Sequence, residues 1–507
     1  MRASALAAAA LLGAPLAWGA CLNNATHGRA TTHDTCTATQ TSYPNARDTL
    51  LADTGGQLTV SQSVTLNGSH WTHPGAAPVR SQGANALIHF TGGLTLTQNG
   101  GDNSYGVLAR AGGRITIDGA TSVTLQNSGQ SRRGVLALDA GSQITLADVT
   151  VSSSGAAAPR GLAAENGGKL SYRAARIDFQ GDNGAYGMRQ SHPGGSIVGG
   201  NTAIKVSGPA SWGAQVDGPV HINGRLELGS ADGIGLNLRN GGFIQIGANS
   251  EIKGTSGTAF HAANTAAAST TLNAATVTAQ TLWNATGSDY TFTAQGGAYT
   301  GGAAGSSLIL KLEGAAKWNL NADSTLKNME LAGNAELRVD GDYRLTPAAG
   351  ESVKNTAGVI DLSDTATGDK LTIAGNYAGG GKLKLDVDLS AAAVADVLKV
   401  NGNVTASTQI AVTQLPGTAM ATTGNGILIA EISGTSPADA FTLPTPLISG
   451  SLQYKLEKVG SNWYLQSSPY TGANVASVPT LSHLGLLLTG GLLAGAAARA
   501  RRKQKKA

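Results

Sequence analysis

The sequence predicts an all-β chain wound as a single-stranded parallel β-helix, and three observations carry that expectation. First, a unit repeats between Gln98 and Gly200: Tyr105-Gly-Val-Leu-Ala, Arg133-Gly-Val-Leu-Ala, Arg160-Gly-Leu-Ala-Ala and Tyr186-Gly-Met-Arg-Gln. Its glycines, Gly106, Gly134, Gly161 and Gly187, are 28, 27 and 26 residues apart. A fixed period of that size marks a stacked array, because one unit cannot bury its apolar side without neighbours above and below. Second, each unit then makes a glycine turn (Gly112-Gly113, Gly141, Gly167-Gly168, Gly194-Gly195) and enters a short alternating stretch: Arg114-Ile-Thr-Ile, Gln143-Ile-Thr-Leu, Lys169-Leu-Ser-Tyr and Ser196-Ile-Val. Alternation with period two sends Ile115 and Ile117 inward and Thr116 outward. Third, 70 of the 507 residues are glycine, 13% are charged and 41% are hydrophobic. That is too apolar for disorder, and the glycines lack a collagen period, so many short strands with tight turns remain.

In chain order, residues 1–19 read as a secretory signal: Arg2, an apolar run from Ala3 to Leu16, and the small-x-small site Ala17-Trp-Gly19. Cys21 and Cys36 are the two cysteines. In an exported chain they point to a disulfide, worth about 3 kcal/mol for a loop of this size. A lipidated Cys21 and a Cys-His-His-Cys metal site with His27 and His33 are the alternatives. Trp18 argues against the first, and a spacing that fits no usual zinc pattern against the second. Residues 20–60 are expected to cap the open end of the stack, and residues 61–369 to form the coils. Between 261 and 305 the Ala/Thr/Gly-rich composition predicts small inward residues and a thinner core.

At the far end, a linker at 469–477 leads to Val478-Pro-Thr-Leu-Ser482, the apolar run Leu484–Ala498 and a basic tail. The run is barely long enough for a membrane-spanning helix. Positive charge after it predicts a cytoplasmic tail, with residues 21–477 outside the inner membrane. Six basic residues stand in the last nine positions and Arg2 is a seventh, so the +4 of the whole chain becomes −3 between the ends. The body therefore lacks a nucleic-acid footprint.

Residues 478–507 resemble the IPTL-CTERM sorting signal of Gram-negative bacteria. Val478 stands for its Ile, Pro479, Thr480, Leu481, Ser482 and Gly485 match, and Leu484 replaces its Trp. The resemblance implies an exosortase-like sorting protease as partner, a precursor anchored in the inner membrane, and delivery to the cell surface. Pro479 would keep Val478–Ser482 extended for that protease.

A second resemblance covers most of 50–468. Trp318-Asn-Leu, Leu371-Thr-Ile-Ala-Gly-Asn-Tyr377, Asp396-Val-Leu-Lys-Val-Asn-Gly402 and Trp463-Tyr-Leu465, together with the earlier repeats, are similar to the passenger of pertactin-like autotransporters. It implies a right-handed β-helix with an autochaperone-like C-terminal region at 370–468. Such passengers precede an outer-membrane β-barrel. Only 39 residues follow Ser468, too few for a barrel, and the sorting tail is expected in its place.

β-Helices also host polysaccharide lyases and hydrolases, which need carboxylates at a fixed separation. Gly101-Asp102-Asn103 and Gly181-Asp182-Asn183 put acids at equivalent turns, but three coil intervals separate them, about 14 Å at ~4.8 Å each. Asp-Asn after Gly is also ordinary turn chemistry. His70-Trp71-x-His73 reads as a loop before Pro74-Gly75. Tyr105, Tyr186 and Trp212, each just before a repeat glycine, line a binding face or simply cover the stack. No catalytic, cofactor or metal site is expected. The reading is an exported surface β-helix with an adhesin-like or structural role toward a host or matrix glycan or protein, and the alternative is an extracellular polysaccharide-acting enzyme.

Overall fold

The computed structural model describes residues 22–471, apart from 24–27, 32–33, 45–48, 69–75, 100, 127–129, 155, 209 and 231–232. Signal residues 1–19, Cys21, His27, His33, His70, Trp71 and His73 lie outside the described residues, as do Val478, Pro479, Thr480, Leu481, Ser482, Gly485 and the expected C-terminal helix.

The described elements are all strands, and they stack as a three-sided parallel coil. Each coil contributes one strand per side. In the coil opened by Tyr105–Arg110, Arg114–Ile117 forms the second side and Thr121–Gln126 the third. On each side the next coil pairs in parallel and in register: Tyr105 opposite Arg133, Ile115 opposite Ile144, Val123 opposite Val151. The 26- to 28-residue period is thus one circuit of the coil. In three later coils the second and third sides run together as one long strand, Gln143–Ser154, Lys169–Gln180 and Ser196–Val206.

Alternation sets what each rung buries. Ile115 and Ile117 are buried and Thr116 is not. Register then stacks like on like. Ile88, Ile115, Ile144, Leu170 and Ile197 form one inward column, and Leu96, Val123, Val151, Ile177 and Ile204 another. Each β-branched or leucine side chain closes the apolar surface of the one below it, which is the stabilisation that no isolated coil can reach.

The structure departs from the sequence expectation in two places. Parallel pairing starts before residue 61: Gly28–Thr31 pairs with Leu50–Asp53, and Thr35–Ala38 with Gln57–Val60. Part of the stretch expected to cover the first coil supplies coils itself, and among the described residues there only Leu22–Asn23 runs antiparallel, against Gly28–Arg29. Nor is the core thin beyond residue 260. Phe260, Trp283, Tyr290, Phe292, Tyr299 and Trp318 are all buried, with neighbouring rings 4.8–5.5 Å apart. Composition hid this because the small residues between them face outward or fill single inward positions, and a few rings of large volume make up the difference.

At the C-terminal end one side continues as a separate sheet through Ser324–Leu326, Asp342–Pro347, Lys370–Ile373, Val397–Val400 and Ile427–Ile432. Asn462–Pro469 then joins antiparallel and forms a hairpin with Leu452–Val459. Trp463 is buried there against Phe441, and its indole N–H donates to Ser436 Oγ at 2.8 Å. An antiparallel turn-back covers the edge that a parallel stack otherwise leaves open to further pairing.

Candidate ligand-binding face

The repeat glycines are required by the stacking. A Cβ on Gly161 would stand 2.4 Å from the Gly187 carbonyl oxygen and 3.0 Å from Ile177 Cγ2; on Gly187 it would stand 2.4 Å from Ile204 Cγ2 and 2.6 Å from the Gly213 carbonyl oxygen. At this point the backbone of each coil lies directly against the next, so no side chain fits. The residue before each glycine is turned out of the stack. Tyr105, Arg133, Arg160, Tyr186 and Trp212 therefore form one outward column, in register rung by rung. Leu108, Leu136, Ala163 and Arg189 form a second, and Leu138 stands opposite Glu165 in a third.

These columns meet in one cluster. Arg160 Nη1 donates to Glu165 Oε1 at 2.7 Å, Arg133 Nε lies 3.6 Å from the same oxygen and Arg189 Nη1 3.7 Å. The three arginine side chains are 13%, 13% and 23% exposed, and Glu165 12%. Aromatic rings frame them. Arg133 sits 5.4 Å over Tyr105, Arg160 and Arg189 sit 5.7 and 5.6 Å over Tyr186, and Tyr186 meets Trp212 edge-on at 4.6 Å. Guanidinium over a ring face is attracted by the ring quadrupole. Burial and the adjacent Arg133 push the Arg160 guanidinium down to about 10, against the pull of Glu165, and Arg189 adds to the depression. It stays charged at neutral pH. Beside the cluster, Ala77, Leu108, Leu136 and Ala163 make a small buried apolar cluster, separate from the main core, with half-buried Tyr105 and Leu138 packed on it.

The three aromatics expected from sequence thus lie on one face as a group. Glu165 and Arg189 carry no signal in the sequence, because their meeting depends on the in-register stacking of three coils. Arg133 and Arg160 do carry one, since they occupy the slot that Tyr105 and Tyr186 hold in the other repeats.

The two Asp-Asn turns are structural. Asp102 accepts from the Gln130 N–H at 2.7 Å and buried Asp182 from the Ala156 N–H at 2.6 Å, each tying its turn to a neighbouring coil. The bridges Gln130–Ala157 and Ala157–Asn183 run through the same corner.

A groove of about 400 Å³ follows another corner, lined by Asp148, Arg176, Asn201, Arg225 and Glu227 among others. Its carboxylates are committed. Arg173 binds Asp148 through two hydrogen bonds, 2.8 and 2.6 Å, and holds its carboxyl below the usual range, while Arg225 pairs with Glu227 at 2.7 Å. Asp148, held ionised in this way, does not offer the proton that a glycoside-cleaving acid must hold. Asp340, Asp364 and Asp369 bring carboxylate oxygens within 4.8 Å of one another, and Asp364 and Asp369 also accept backbone N–H groups of Ala366 and Gly341, the usual work of turn aspartates. Cys36 is buried and not free.

Comparison with known proteins bears on the C-terminal part of the stack and on the tail. Residues 350–456 match the family described as Autochaperone Domain Type 1, and residues 476–503 the IPTL-CTERM motif. The chain is 28% identical over 165 residues to the probable autotransporter YfaL of Escherichia coli K12, across 30% of this chain and 13% of that protein. It is 34% identical over 121 residues to the uncharacterized protein YuaQ of the same organism, across 23% and 9%. Both matches therefore span a small part of the relatives' length. The Haemophilus influenzae Hap adhesin superposes with a TM-score of 0.34 and 12% identity, over 87% of this chain and 64% of that one, a loose overlap that says nothing about function. A parallel stack whose C-terminal part matches an autochaperone domain, followed by a matching IPTL-CTERM tail, makes the chain similar to the passenger of pertactin-like autotransporters, with an IPTL-CTERM sorting signal at its end.

Proposed function

We propose that this chain is an exported surface rod with an adhesin-like, non-enzymatic role, presenting one side of its β-helix to a host or matrix ligand. The observation that supports this most is the first side of the coil. It keeps a continuous outward strip of aromatics and arginines over five rungs, from Tyr105 to Trp212, while the corner groove holds carboxylates already paired with arginine. A rod built by stacking also holds such a strip away from the membrane without a mechanism of its own.

Export and display surround that role. The signal at 1–19 is removed, Cys21 pairs with Cys36, and the region near 370–468 completes the stack. Residues 478–507 hold the precursor at the inner membrane until an exosortase-like protease cuts near Val478–Ser482 and the body passes to the surface of a Gram-negative cell.

Two measurements test the proposal. Surface-released protein should have the intact mass of a chain without Lys503–Ala507, and replacing Pro479 and Thr480 should trap the precursor; a mature mass that retains the tail leaves only a simple anchor. Residues 21–468 should leave a panel of extracellular polysaccharides uncut, and reproducible depolymerisation would establish the enzymatic alternative.

A further inference from the structure

We propose that Arg133, Arg160 and Arg189 form a binding site for an acidic saccharide, one that carries carboxylate or sulfate groups, lying along the first side of the coil between Tyr105 and Trp212. This deepens the adhesin-like reading and rests on it for its extracellular setting.

Charge is the first argument. Among the described residues the ion pairs of all three arginines go to the one carboxylate of Glu165, which leaves two positive charges unbalanced. Three arginines elsewhere on the rod do have carboxylates of their own: Arg173 pairs with Asp148, Arg176 with Asp178, and Arg225 with both Glu227 and Glu251. Arg133 and Arg160 stand directly opposite each other on adjacent rungs, where like charges repel. Their partial burial removes the water that would screen them. A fold has no structural need for such an arrangement; an incoming anion relieves it.

Geometry is the second. The Nε atoms of Arg133, Arg160 and Arg189 are buried without a hydrogen-bond partner. A guanidinium offers its N–H groups as a planar fork that suits the paired oxygens of a carboxylate or sulfate. Tyr105 stands at one end of the strip, Tyr186 and Trp212 at the other, all three half-buried, while Leu108, Leu136 and Ala163 are buried beneath it. Sugar rings present apolar C–H faces, which settle on the electron-rich faces of aromatic rings. The strip spans four rung intervals, about 19 Å at ~4.8 Å each, so it accepts several sugar units in a row. The net negative charge of the body disfavours a long nucleic acid.

The full chain, as released from cells, would be titrated calorimetrically with a heparin oligosaccharide (sulfate and carboxylate), a hyaluronan oligosaccharide (carboxylate only), an uncharged maltooligosaccharide and a single-stranded oligonucleotide. An acidic saccharide should bind, more weakly as salt rises, and the uncharged one should not. Response to heparin alone identifies sulfate as the recognised group, and response to both identifies carboxylate. Arg160→Gln with Arg189→Gln should weaken binding about tenfold or more. Glu165→Gln should tighten it a few-fold, because the surplus charge rises, and a merely structural Glu165 would not do that. Arg173→Gln, which removes an exposed arginine elsewhere, should change nothing. Absence of binding to either acidic saccharide, unchanged binding by the double variant, weaker binding by folded Glu165→Gln, or preference for the oligonucleotide would each overturn the assignment. Cells that display the double variant and adhere normally would sink this inference alone; wild-type cells that display the rod and do not adhere would sink the adhesin-like reading.

Discussion

Gly161→Ala is the sharpest probe of how the coils stack. The added Cβ would sit 2.4 Å from the Gly187 carbonyl oxygen and 3.0 and 3.3 Å from Ile177 Cγ2 and Cδ1. Two of these atoms belong to a buried side chain of the third side, and the first to the backbone of the next coil. That backbone is held in register by the Arg160–Tyr186 and Leu162–Met188 pairs, so it cannot yield alone. Overpacking of one methyl group into such a contact costs about 1–3 kcal/mol. Gly229→Ala is the matched control. Nothing lies within 4 Å of its Cβ position, and its backbone is outside the left-handed region, so alanine there is expected to be neutral or to add about 0.4–1 kcal/mol by restricting the unfolded chain. In a solenoid the loss stays with the altered coil and its neighbours. Hydrogen exchange should therefore speed up over the strands Arg133–Leu138, Arg160–Glu165 and Tyr186–Gln190, and stay unchanged beyond Leu308–Glu313. Equal protection in Gly161→Ala and Gly229→Ala, or a loss spread evenly along the rod, would refute the account of the repeat glycines.

Three further outcomes are expected. Burial pushes the Asp396 carboxyl up to about 6, even though it accepts N–H groups of Gly368, Asp369 and Asp386. A carboxyl raised above its ordinary 3.8 holds its proton more tightly when folded, so its stabilisation is complete below about 3.8 and is lost as pH rises through about 6. The urea midpoint of the C-terminal coils should fall between about pH 4 and 7, and Asp396→Asn should flatten that slope. Deleting residues 370–471 should leave a protease-sensitive chain, because the antiparallel turn-back that covers the stack is gone; a cooperative β-fold from residues 50–369 alone would contradict this. Cys36→Ser should destabilise the first coils by about 3 kcal/mol and abolish the mobility shift between reduced and unreduced protein on a gel; no change in either would exclude the Cys21–Cys36 pairing.

Much of this architecture is legible one residue at a time. The spacing of Gly106, Gly134, Gly161 and Gly187 announces the circuit of the coil, and alternation around Ile115 and Ile117 announces which side chains enter it, because both are local consequences of backbone geometry. The tail and the autochaperone region carry motifs in contiguous sequence, and family matches fall at 476–503 and 350–456, overlapping the expected 478–507 and 370–468. The first coils, Gly28–Thr31 and Thr35–Ala38, are less visible, since their pairing partners lie in stretches without the repeat glycine.

What the sequence by itself determined is therefore the periodic part, a parallel stack with its repeat length and its inward and outward faces, together with the sorting motif at its C-terminal end. What only the tertiary structure decided is which outward residues meet. Arg133, Arg160, Glu165 and Arg189 come from three different coils, and Glu165 gathers the arginines only because each coil sits in register on the last. The same holds for the buried rings of Phe260 with Phe292, and of Trp283 with Tyr299 and Trp318, which are apart in sequence and in contact across coils. Electrostatic and packing contacts fall off within a few ångströms, so they depend on distances that a linear pattern does not contain until stacking turns a period of roughly 26 residues into a step of about 4.8 Å.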